Sequence, residues 1–245
     1  MPRSAAPAGG MSANVADQLA WARFHLGDGT APDGTRILSS ELLHRMQQPT
    51  IESPGSAIGD AIGISWLLRD LDGVHLVAHG GTTNGQYSEF LMVPERGFAL
   101  ISMTNCGPNG SEFNDELRRW ALQYYLGLDD SEPEPIVLDD EALAHYVGRY
   151  ETIAAICDVT ADNGRLLAAV EIKPEMKAIL SEAGEDTDVE EPPFALAMLP
   201  GASDRYVIPD GPGKGMKGYF TRAADGTVDG VHLGGRLATR TPTVV

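Results

Sequence analysis

VHLVAHGGTTNGQYSEFLMVPERGFALISMTN, from Val74 to Asn105, is the stretch that decides the fold of this chain. It contains three runs of apolar, β-branched and aromatic residues separated by Gly, Pro and Asn, which is the pattern of consecutive β-strands. The link Pro94-Glu95-Arg96-Gly97 fits a type I turn, which joins neighbouring strands closely. The sequence therefore predicts an antiparallel sheet in this part of the chain.

Helical patterns flank this sheet segment on both sides. Asn14 is a candidate N-cap, and Asp17 follows it near the positive end of the helix dipole. After this cap, apolar residues recur on one helical face at Val15, Leu19, Ala22 and Leu26. A second apolar face, suited to covering a sheet, consists of Leu117, Trp120, Ala121, Tyr124 and Leu128. The expected core includes the tryptophans Trp21, Trp66 and Trp120.

A hairpin is predicted to join the same sheet. Its arms are residues 62–68 and 74–78, and its turn lies at residues 70–73, which include Asp72-Gly73. Helices that pack on an antiparallel sheet define the α+β class. We therefore expect an α+β fold for the first part of the chain.

The pattern changes after residues 130–142, an acidic and Pro-containing segment typical of a linker. From Leu143 onward short strands alternate with turns, among them Asn163-Gly164 and Asp225-Gly226. The predicted strands are Tyr146–Glu151, Ile156–Ala161, Arg165–Ile172, Ala195–Leu199, Arg205–Ile208, Gly218–Arg222, Thr227–Leu233 and Arg236–Thr241. This pattern predicts a small all-β barrel or sandwich with no long helix, and a solvated acidic loop at 182–191. The predicted domains are residues 1–129 and 143–245.

The composition argues against several classes of protein. An apolar fraction of 42% supplies a sizeable core, and the net charge of −17 would repel phosphate backbones and anionic membranes. No apolar run approaches the roughly 20 residues that span a bilayer, and the first ten residues lack the apolar core of a secretory signal. The six histidines are scattered without the spacing of metal ligands. We expect no nucleic-acid partner, no membrane partner and no metal, and the compartment stays undecided.

The motif His79-Gly80-Gly81, at the end of a strand and before a polar loop, carries a family resemblance. So do the Gly9-Gly10 pair before the first helix and the apolar run that ends in Thr104-Asn105. Together they resemble the serine beta-lactamases and penicillin-binding-protein-like hydrolases. The motifs of that family are Ser-x-x-Lys, Tyr-x-Asn or Ser-x-Asn, and Lys-Thr-Gly or its His-x-Gly variant. The variant is D-aminopeptidase- and esterase-like, although it does not separate those activities from that of a beta-lactamase.

The second part of the chain carries a resemblance of its own. Its start, Tyr146-x-Gly148-x-Tyr150, and its Gly234-Gly235 ending resemble the lipocalin-like β-barrel domain that is appended to many of these hydrolases.

The hydrolase resemblance implies roles for four residues. His79 would border the active site and help to hold the substrate or the proton network. Gly80 and Gly81 would let a substrate approach the backbone closely, and the N–H of Thr82 would supply half of an oxyanion hole. The reaction would be acyl transfer to water on amide, ester or β-lactam bonds, without a cofactor. The partner would be a small-molecule or peptide substrate.

Neither of the other two family motifs is found with its expected context in this sequence. No Ser is followed by Lys three residues later, and no Tyr is followed by Asn two residues later. Ser12-Ala13-Asn14 matches Ser-x-Asn literally, but its place before a helix predicts a cap. The resemblance therefore implies the C-terminal portion of a hydrolase, which we expect to be inactive alone and to bind substrate when a missing N-terminal half completes it.

Two alternatives stay open. The chain is a non-catalytic binding module whose barrel holds an apolar ligand or a partner protein, or it is a fragment without function. In the second case it exposes apolar surface that the missing half would cover, which predicts self-association.

Overall fold

Two separate sheets organise the chain. The computed structural model describes residues 6–56, 59–83, 85–107, 109–131, 133–182, 192–201, 204–211 and 213–242. The chain divides into two units, Met1–Ser53 with Gly59–Ser131 and Pro54–Ile58 with Glu132–Val245. Across the described ranges, no helix is long and apolar enough to cross a membrane.

The first sheet contains the stretch from Val74 to Asn105. Its seven strands are β1 (Ile51–Ser56), β2 (Gly59–Ile62), β3 (Leu67–Leu71), β4 (Val74–Ala78), β5 (Gly81–Thr83), β6 (Gln86–Val93) and β7 (Phe98–Thr104). Their order is β1-β2-β3-β4-β6-β5, and β7 pairs with β6. As predicted, β6 and β7 are antiparallel. A single 3-10 turn, Pro94–Arg96, and Gly97 in the left-handed region (φ 58°) connect them.

The predicted hairpin is present, but its first arm is shorter than expected. β3 pairs with β4, and the turn residues Asp72 and Gly73 both have positive φ angles, 54° and 80°. The predicted arm 62–68 is wrong because the chain leaves the sheet between β2 and β3. A Cβ on Gly63 would lie 2.4 Å from the carbonyl oxygen of Met46, so the backbone bends where only glycine fits.

Four helices accompany this sheet: α1 (Ala6–Gly9), α2 (Val15–Leu26), α3 (Ser40–Met46) and α4 (Gly110–Ala121). Since strand side chains alternate between faces, the sheet has two cores. On one face, Ala22 of α2 clusters with Val77 and Met92. On the other face, Leu91 clusters with Leu122, in the π-helical turn Leu122–Leu126 that follows α4.

The predicted sheet-facing side of α4 is confirmed only in part, for Ala121 and Leu128, which are buried. Trp120 and Tyr124 are 53% and 69% exposed, whereas Ala121 and Leu122 are buried. The helix presents the neighbouring side to the sheet, because Asn114 reaches Ser102 of β7 there, with a hydroxyl-to-amide hydrogen bond of 2.7 Å. Of the three predicted core tryptophans, Trp66 is buried, but Trp120 and also Trp21 (48% exposed) are not.

The second sheet is a closed barrel of eight antiparallel strands. They are β8 (Gly148–Glu151), β9 (Ala155–Asp162), β10 (Arg165–Ile172), β11 (Phe194–Met198), β12 (Arg205–Val207), β13 (Lys217–Arg222), β14 (Val228–Leu233) and β15 (Arg236–Arg240). Each strand overlaps one of the eight predicted strands. The predicted fold class, an α+β part followed by a small β-barrel, is confirmed.

The barrel interior is filled with side chains. Tyr150, Leu166 and Tyr206 are completely buried, and the Tyr150 hydroxyl donates to the carbonyl of Tyr146 at 2.7 Å. Outside the barrel strands lie two helices, α5 (Asp140–Ala144) and α6 (Pro174–Glu182). α6 corrects the expectation of no long helix. Of the predicted acidic loop 182–191, Glu182 ends α6, and the rest lies outside the described residues.

An ion-pair network lies against α4. The Asp130 side chain is 4% exposed and accepts hydrogen bonds from Arg69 and, at 3.0 Å, from Arg118. Arg118 also lies 2.6 Å from Asp115 and 3.5 Å from Glu89. Burial acts to raise the pKa of Asp130, but the hydrogen bonds and charges of the two arginines outweigh burial and hold that pKa below its usual value. Asp130 therefore stays charged and links α4 to β3.

We predict that Asp130→Ala lowers the free energy of unfolding of the first unit by about 3 kcal/mol, because both arginines lose a buried counter-charge. Urea unfolding followed by tryptophan fluorescence measures this unit alone, since Trp21, Trp66 and Trp120 all lie in it. Arg36→Ala is the control, because it breaks an ion pair whose side chains are 57% and 61% exposed. Equal losses in the two variants would contradict the role of the network.

His25 is a second buried ionisable group. It is 3% exposed and packs edge-on against Trp21 and Trp66, with ring centroids 4.4 and 5.0 Å apart. Burial lowers its pKa. The unfolded chain protonates this imidazole near pH 6.5, whereas the folded chain protonates it only at a lower pH, so its burial favours folding less as the pH falls below 6.5.

We predict that the unfolding free energy of wild type falls more steeply than that of His25→Phe between about pH 6.5 and pH 5, by at most about 1.4 kcal/mol per pH unit. Tryptophan fluorescence in urea series at several pH values measures the difference. His44→Gln, at an exposed position, should keep the wild-type slope. An unchanged slope in His25→Phe would assign the acid sensitivity to other groups.

Candidate active site

His79 and Gly80 lie between β4 and β5, inside one continuous ladder with β6. The pairs on either side of them are Ala78↔Leu91 and Gly81↔Ser88. The register is the same before and after, so no extra residue is inserted. The N–H of His79 donates to the carbonyl of Phe90 at 2.9 Å. The sequence predicts that a strand ends at His79-Gly80-Gly81. In the structure, His79 and Gly80 form a short irregular segment between β4 and β5, which both pair with β6 in one register.

The phase of this ladder fixes the direction of the Thr82 N–H. In an antiparallel pair, opposite residues alternate between exchanging hydrogen bonds and exchanging none. Since the pair His79↔Phe90 is hydrogen-bonded, the next hydrogen-bonded pairs are Gly81↔Ser88 and Thr83↔Gln86. The pair Thr82↔Tyr87 lies between these two and exchanges no hydrogen bonds. The Thr82 N–H thus points away from β6. Among the strands of the described residues only β6 pairs with β5, so this N–H lies on an open edge.

An open cleft of about 810 Å³ borders this edge. It is lined by Gly9, Met11, Ser12, Ala13, Gln18, His79, Gly80, Gly81, Thr82, Thr83, Gln86, Tyr87, Ser88, Met103, Thr104 and Asn105. All four residues proposed from the sequence are in this set. The structure therefore brings them to one concave surface, which is the usual form of a small-molecule site.

His79 is exposed, and its tautomer follows from one contact. Its Nδ1 lies 2.8 Å from the carbonyl oxygen of Gly80. Because a carbonyl only accepts, Nδ1 carries the hydrogen in the neutral ring and Nε2 keeps its lone pair. The cleft thus has one imidazole nitrogen able to accept a proton or a hydrogen bond.

Gly80 and Gly81 have a packing reason to be glycine. A Cβ on Gly80 would lie 3.0 Å from the backbone carbonyl oxygen of Ser88, and one on Gly81 would lie 3.4 Å from the Ser88 hydroxyl oxygen. The first distance is tighter than ordinary van der Waals contact. Gly80 therefore allows close pairing with β6, in addition to the backbone access predicted from the resemblance.

The wall contributed by residues 9–13 was not predicted as part of the site. Ser12 lines the cleft just before α2, whose first turn is fixed by the predicted cap. The Asn14 side chain accepts from the Asp17 N–H at 3.0 Å, and its own N–H donates to the Asp17 carboxylate at 3.3 Å. The Gly9-Gly10 pair was the one signal for this wall in the sequence. It could not show that the wall lines the same cleft as β5, because the two segments are about 70 positions apart in the chain.

The opposite face of the same strands is charged. The Glu89 side chain is 14% exposed, and its Oε2 lies 3.6 Å from where a Cβ on Gly80 would be. Burial raises the pKa of Glu89, while the nearby Arg118 opposes that shift. The ring of Tyr87 packs closely against Gly110 of α4, where even a Cβ would overlap the ring.

The cleft itself is lined by neutral polar groups. Its side chains include hydroxyls, amides and two methionines, besides His79 and Tyr87. Within the described ranges, no three His, Cys, Asp or Glu side chains lie close enough together to hold a metal ion. The chemistry that the described residues provide is hydrogen bonding along a strand edge and proton acceptance by one imidazole.

Comparison with known proteins places the first part of the chain in a family. The beta-lactamase family model matches residues 1–125. Penicillin-binding protein 4 of Amycolatopsis lactamdurans is 41% identical over 120 residues, which are 48% of this chain and 32% of that protein. The chain thus spans about a third of the length of this curated relative.

Two crystal structures of SurE share the fold. SurE with D-Leu superposes with a TM-score of 0.63 at 18% identity, over 92% of this chain and 49% of SurE. A second SurE structure gives a TM-score of 0.55 at 17% identity, over 83% of this chain and 43% of SurE. At this identity the likeness concerns the fold alone. The family match over residues 1–125 decides the assignment: the chain belongs to the beta-lactamase family.

Proposed function

We propose that the β5 edge and His79 form one wall of the active site of a serine hydrolase, which transfers an acyl group to water from an amide, ester or β-lactam bond. The observation that carries this proposal is the Thr82 N–H on the open edge of β5, beside an imidazole with a free Nε2, in a chain of the beta-lactamase family. The substrate is a small molecule or a peptide.

In this proposal the Thr82 N–H donates to the oxygen that becomes negative in the tetrahedral intermediate. A hydrogen-bond donor aimed at that oxygen is worth about 10²–10³ in rate when its partner donor is also present. One donor alone is half of such a site. His79 accepts a proton or orients the carbonyl group through Nε2, which contributes about 10²–10⁴ for a well-placed acid or base.

The nucleophile of the proposed reaction comes from a polypeptide segment outside this sequence. Within the sequence no Ser precedes a Lys by three residues and no Tyr precedes an Asn by two. Ser12 lines the cleft, but the amide of Asn14 is engaged in the helix cap. Without an activated nucleophile, the wall binds a substrate and does not cleave it.

We predict that the pure chain hydrolyses p-nitrophenyl acetate no faster than buffer with an equal amount of imidazole. Co-expression with the part of the Amycolatopsis lactamdurans protein that this chain does not cover should restore ester turnover, and His79→Ala should lower it by about 10²-fold. His44→Ala, at an exposed position outside the cleft, is the matched control.

Turnover by the pure chain that His79→Ala abolishes would show that the nucleophile lies within this sequence. Restored turnover that His79→Ala leaves unchanged would remove His79 from the site.

A second candidate function follows from a cavity of about 480 Å³ at the barrel, where an apolar ligand would bind. Its apolar walls include Ile136, Leu138, Leu143, Leu166, Leu196 and Met198. The interior proper is filled, so the ligand of a binding module would occupy this cavity instead, in the position that small ligands take at the mouths of barrels. The segment that carries Ile136 is held to β11 by a 2.8 Å hydrogen bond from the Ile136 N–H to the Met198 carbonyl.

We predict that Nile red, a neutral apolar probe, binds this cavity saturably. Ala195 lines the cavity, so Ala195→Trp should fill part of it and weaken the binding at least about tenfold. Ala169→Trp, on the exposed side of β10, is the control. Fluorescence titration measures both. Equal affinity in the two variants would place the probe elsewhere and remove this candidate.

A further inference from the structure

Glu89 is a largely buried acidic residue that the ion pairs around it do not require. Among the described residues, the network against α4 joins two arginines, Arg69 and Arg118, to three carboxylates, those of Glu89, Asp115 and Asp130. The Arg118 guanidinium lies 2.6 Å from an oxygen of Asp115 and 3.0 Å from one of Asp130, but 3.5 Å from that of Glu89. A carboxylate withdrawn from water costs free energy. Charge balance therefore does not explain why an acidic residue stands at position 89.

A second contact of Glu89 lies on the side of the cleft motif. The register of β4 and β5 with β6 places Glu89 directly opposite Gly80, and opposite residues of an antiparallel pair share one face of the sheet. Glu89 Oε2 lies 3.6 Å from the point where a Cβ on Gly80 would be, which is an ordinary contact distance. The carboxylate thus covers the face of Gly80 that is turned away from His79.

The backbone at Gly80 is a place where such a contact matters. Gly81 follows it, and glycine adopts backbone conformations that other residues avoid. Since the pair His79↔Phe90 is hydrogen-bonded, the next pair, Gly80↔Glu89, exchanges no hydrogen bond. The carbonyl of Gly80 therefore has no partner in β6, and the ladder alone does not fix its position.

This same carbonyl sets the state of the imidazole in the cleft. It accepts the hydrogen of His79 Nδ1 at 2.8 Å, which leaves the lone pair on Nε2. If Gly80 moved into the space that Glu89 occupies, its carbonyl oxygen would withdraw from His79, and the hydrogen could reside on Nε2 instead. The tautomer of His79 thus depends on the place of one backbone oxygen.

We propose that Glu89 is a positioning residue of the site: its side chain, held by Arg118, supports Gly80 from the far face of the sheet and so keeps the hydrogen of His79 on Nδ1. Glu89 is not part of the described lining of the cleft, so it acts through Gly80. The inference rests on the proposed function for its catalytic meaning, whereas the contact and the tautomer are properties of this chain alone.

The ¹⁵N chemical shifts of the imidazole report the tautomer directly, because a ring nitrogen that carries a hydrogen and one that keeps its lone pair resonate far apart. Spectra of the full chain are recorded at about pH 9, where imidazole rings are neutral. His79→Gln assigns the signals of this ring among the six histidines. Wild type is expected to show the hydrogen on Nδ1.

Three exchanges at position 89 separate the shape of the side chain from its charge. Glu89→Ala removes the support, so the tautomer with hydrogen on Nε2, which free imidazole side chains prefer, should become the larger population. Glu89→Gln keeps the size of the side chain and should keep the hydrogen on Nδ1. Glu89→Asp keeps the charge but withdraws the carboxylate by one methylene, and should resemble Glu89→Ala. Glu95→Ala, the same exchange at an exposed turn residue, is the matched control.

Urea unfolding followed by tryptophan fluorescence verifies that each variant is folded. A folded Glu89→Ala with the wild-type shifts of His79 would overturn the proposal. Equal shifts in Glu89→Gln and Glu89→Asp would overturn it too, because the reach of the side chain would then have no effect. This second comparison decides the matter if Glu89→Ala does not fold.

Turnover distinguishes this inference from the proposed function. In the complemented hydrolase, Glu89→Ala should lower kcat about tenfold and leave KM within about twofold, because the proton acceptor is lost in most molecules while the contacts to the substrate remain. No turnover in the complemented wild type would remove the proposed function without touching the tautomer result. Wild-type turnover, with shifts of His79 that no exchange at position 89 alters, would remove Glu89 from the site.

Discussion

The pairing of β6 with its neighbours is the constraint on which the site depends. On one side β6 holds β4 and β5 in a single register, and on the other side it pairs with β7 from Tyr87 to Val93. Buried Val77 and Met92 specify that register, since a slip by one residue would bring both to the opposite face. The same slip would carry His79 away from the cleft. Apolar packing in the middle of the strands thus positions polar chemistry at their end.

Because side chains alternate between the two faces of the sheet, the polar, uncharged cleft lies on one face and the ion pairs lie on the other. Ser88 shares the cleft face with His79, whereas Glu89 shares the opposite face with the ion pairs of α4. A buried carboxyl without a counter-charge would cost several kcal/mol. Arg118 provides that counter-charge and is held in turn by Asp130, a residue 41 positions further along the chain than Glu89. The neutral lining of the cleft therefore has a charged, compensated layer beneath it.

What the sequence predicted well was local. All eight barrel strands were located because alternation and turn residues such as Asn163-Gly164 are encoded within a few positions. The antiparallel sheet and the N-cap at Asn14 were predicted for the same reason. The split of the arm 62–68 was missed because it depends on the approach of Met46 to Gly63, which no local pattern encodes.

The errors on α4 have the same origin. A row of apolar residues predicts that a helix has an apolar side, but not which element covers that side. Here the polar residues Asn114 and Arg118, which lie outside the predicted apolar side, make buried contacts, and Trp120 faces outward. In the site, the motif at residues 79–82 was sufficient to name one wall. The wall at Ser12 lines the same cleft as residues about 70 positions further along the chain, an arrangement that only the folded chain specifies.

Chemistry and stability are separable in this site, and this decides how its variants should be interpreted. His79 and Thr82 are exposed, and the ladder bond of His79 uses its backbone N–H, which every residue but proline supplies. Removal of the imidazole therefore leaves the cores around Met92 and Leu91 intact. Gly80 is different, since any side chain there would meet the Ser88 carbonyl at 3.0 Å and shift the strand. Loss of function at position 79 reports on chemistry, whereas loss at position 80 reports on the geometry that presents it.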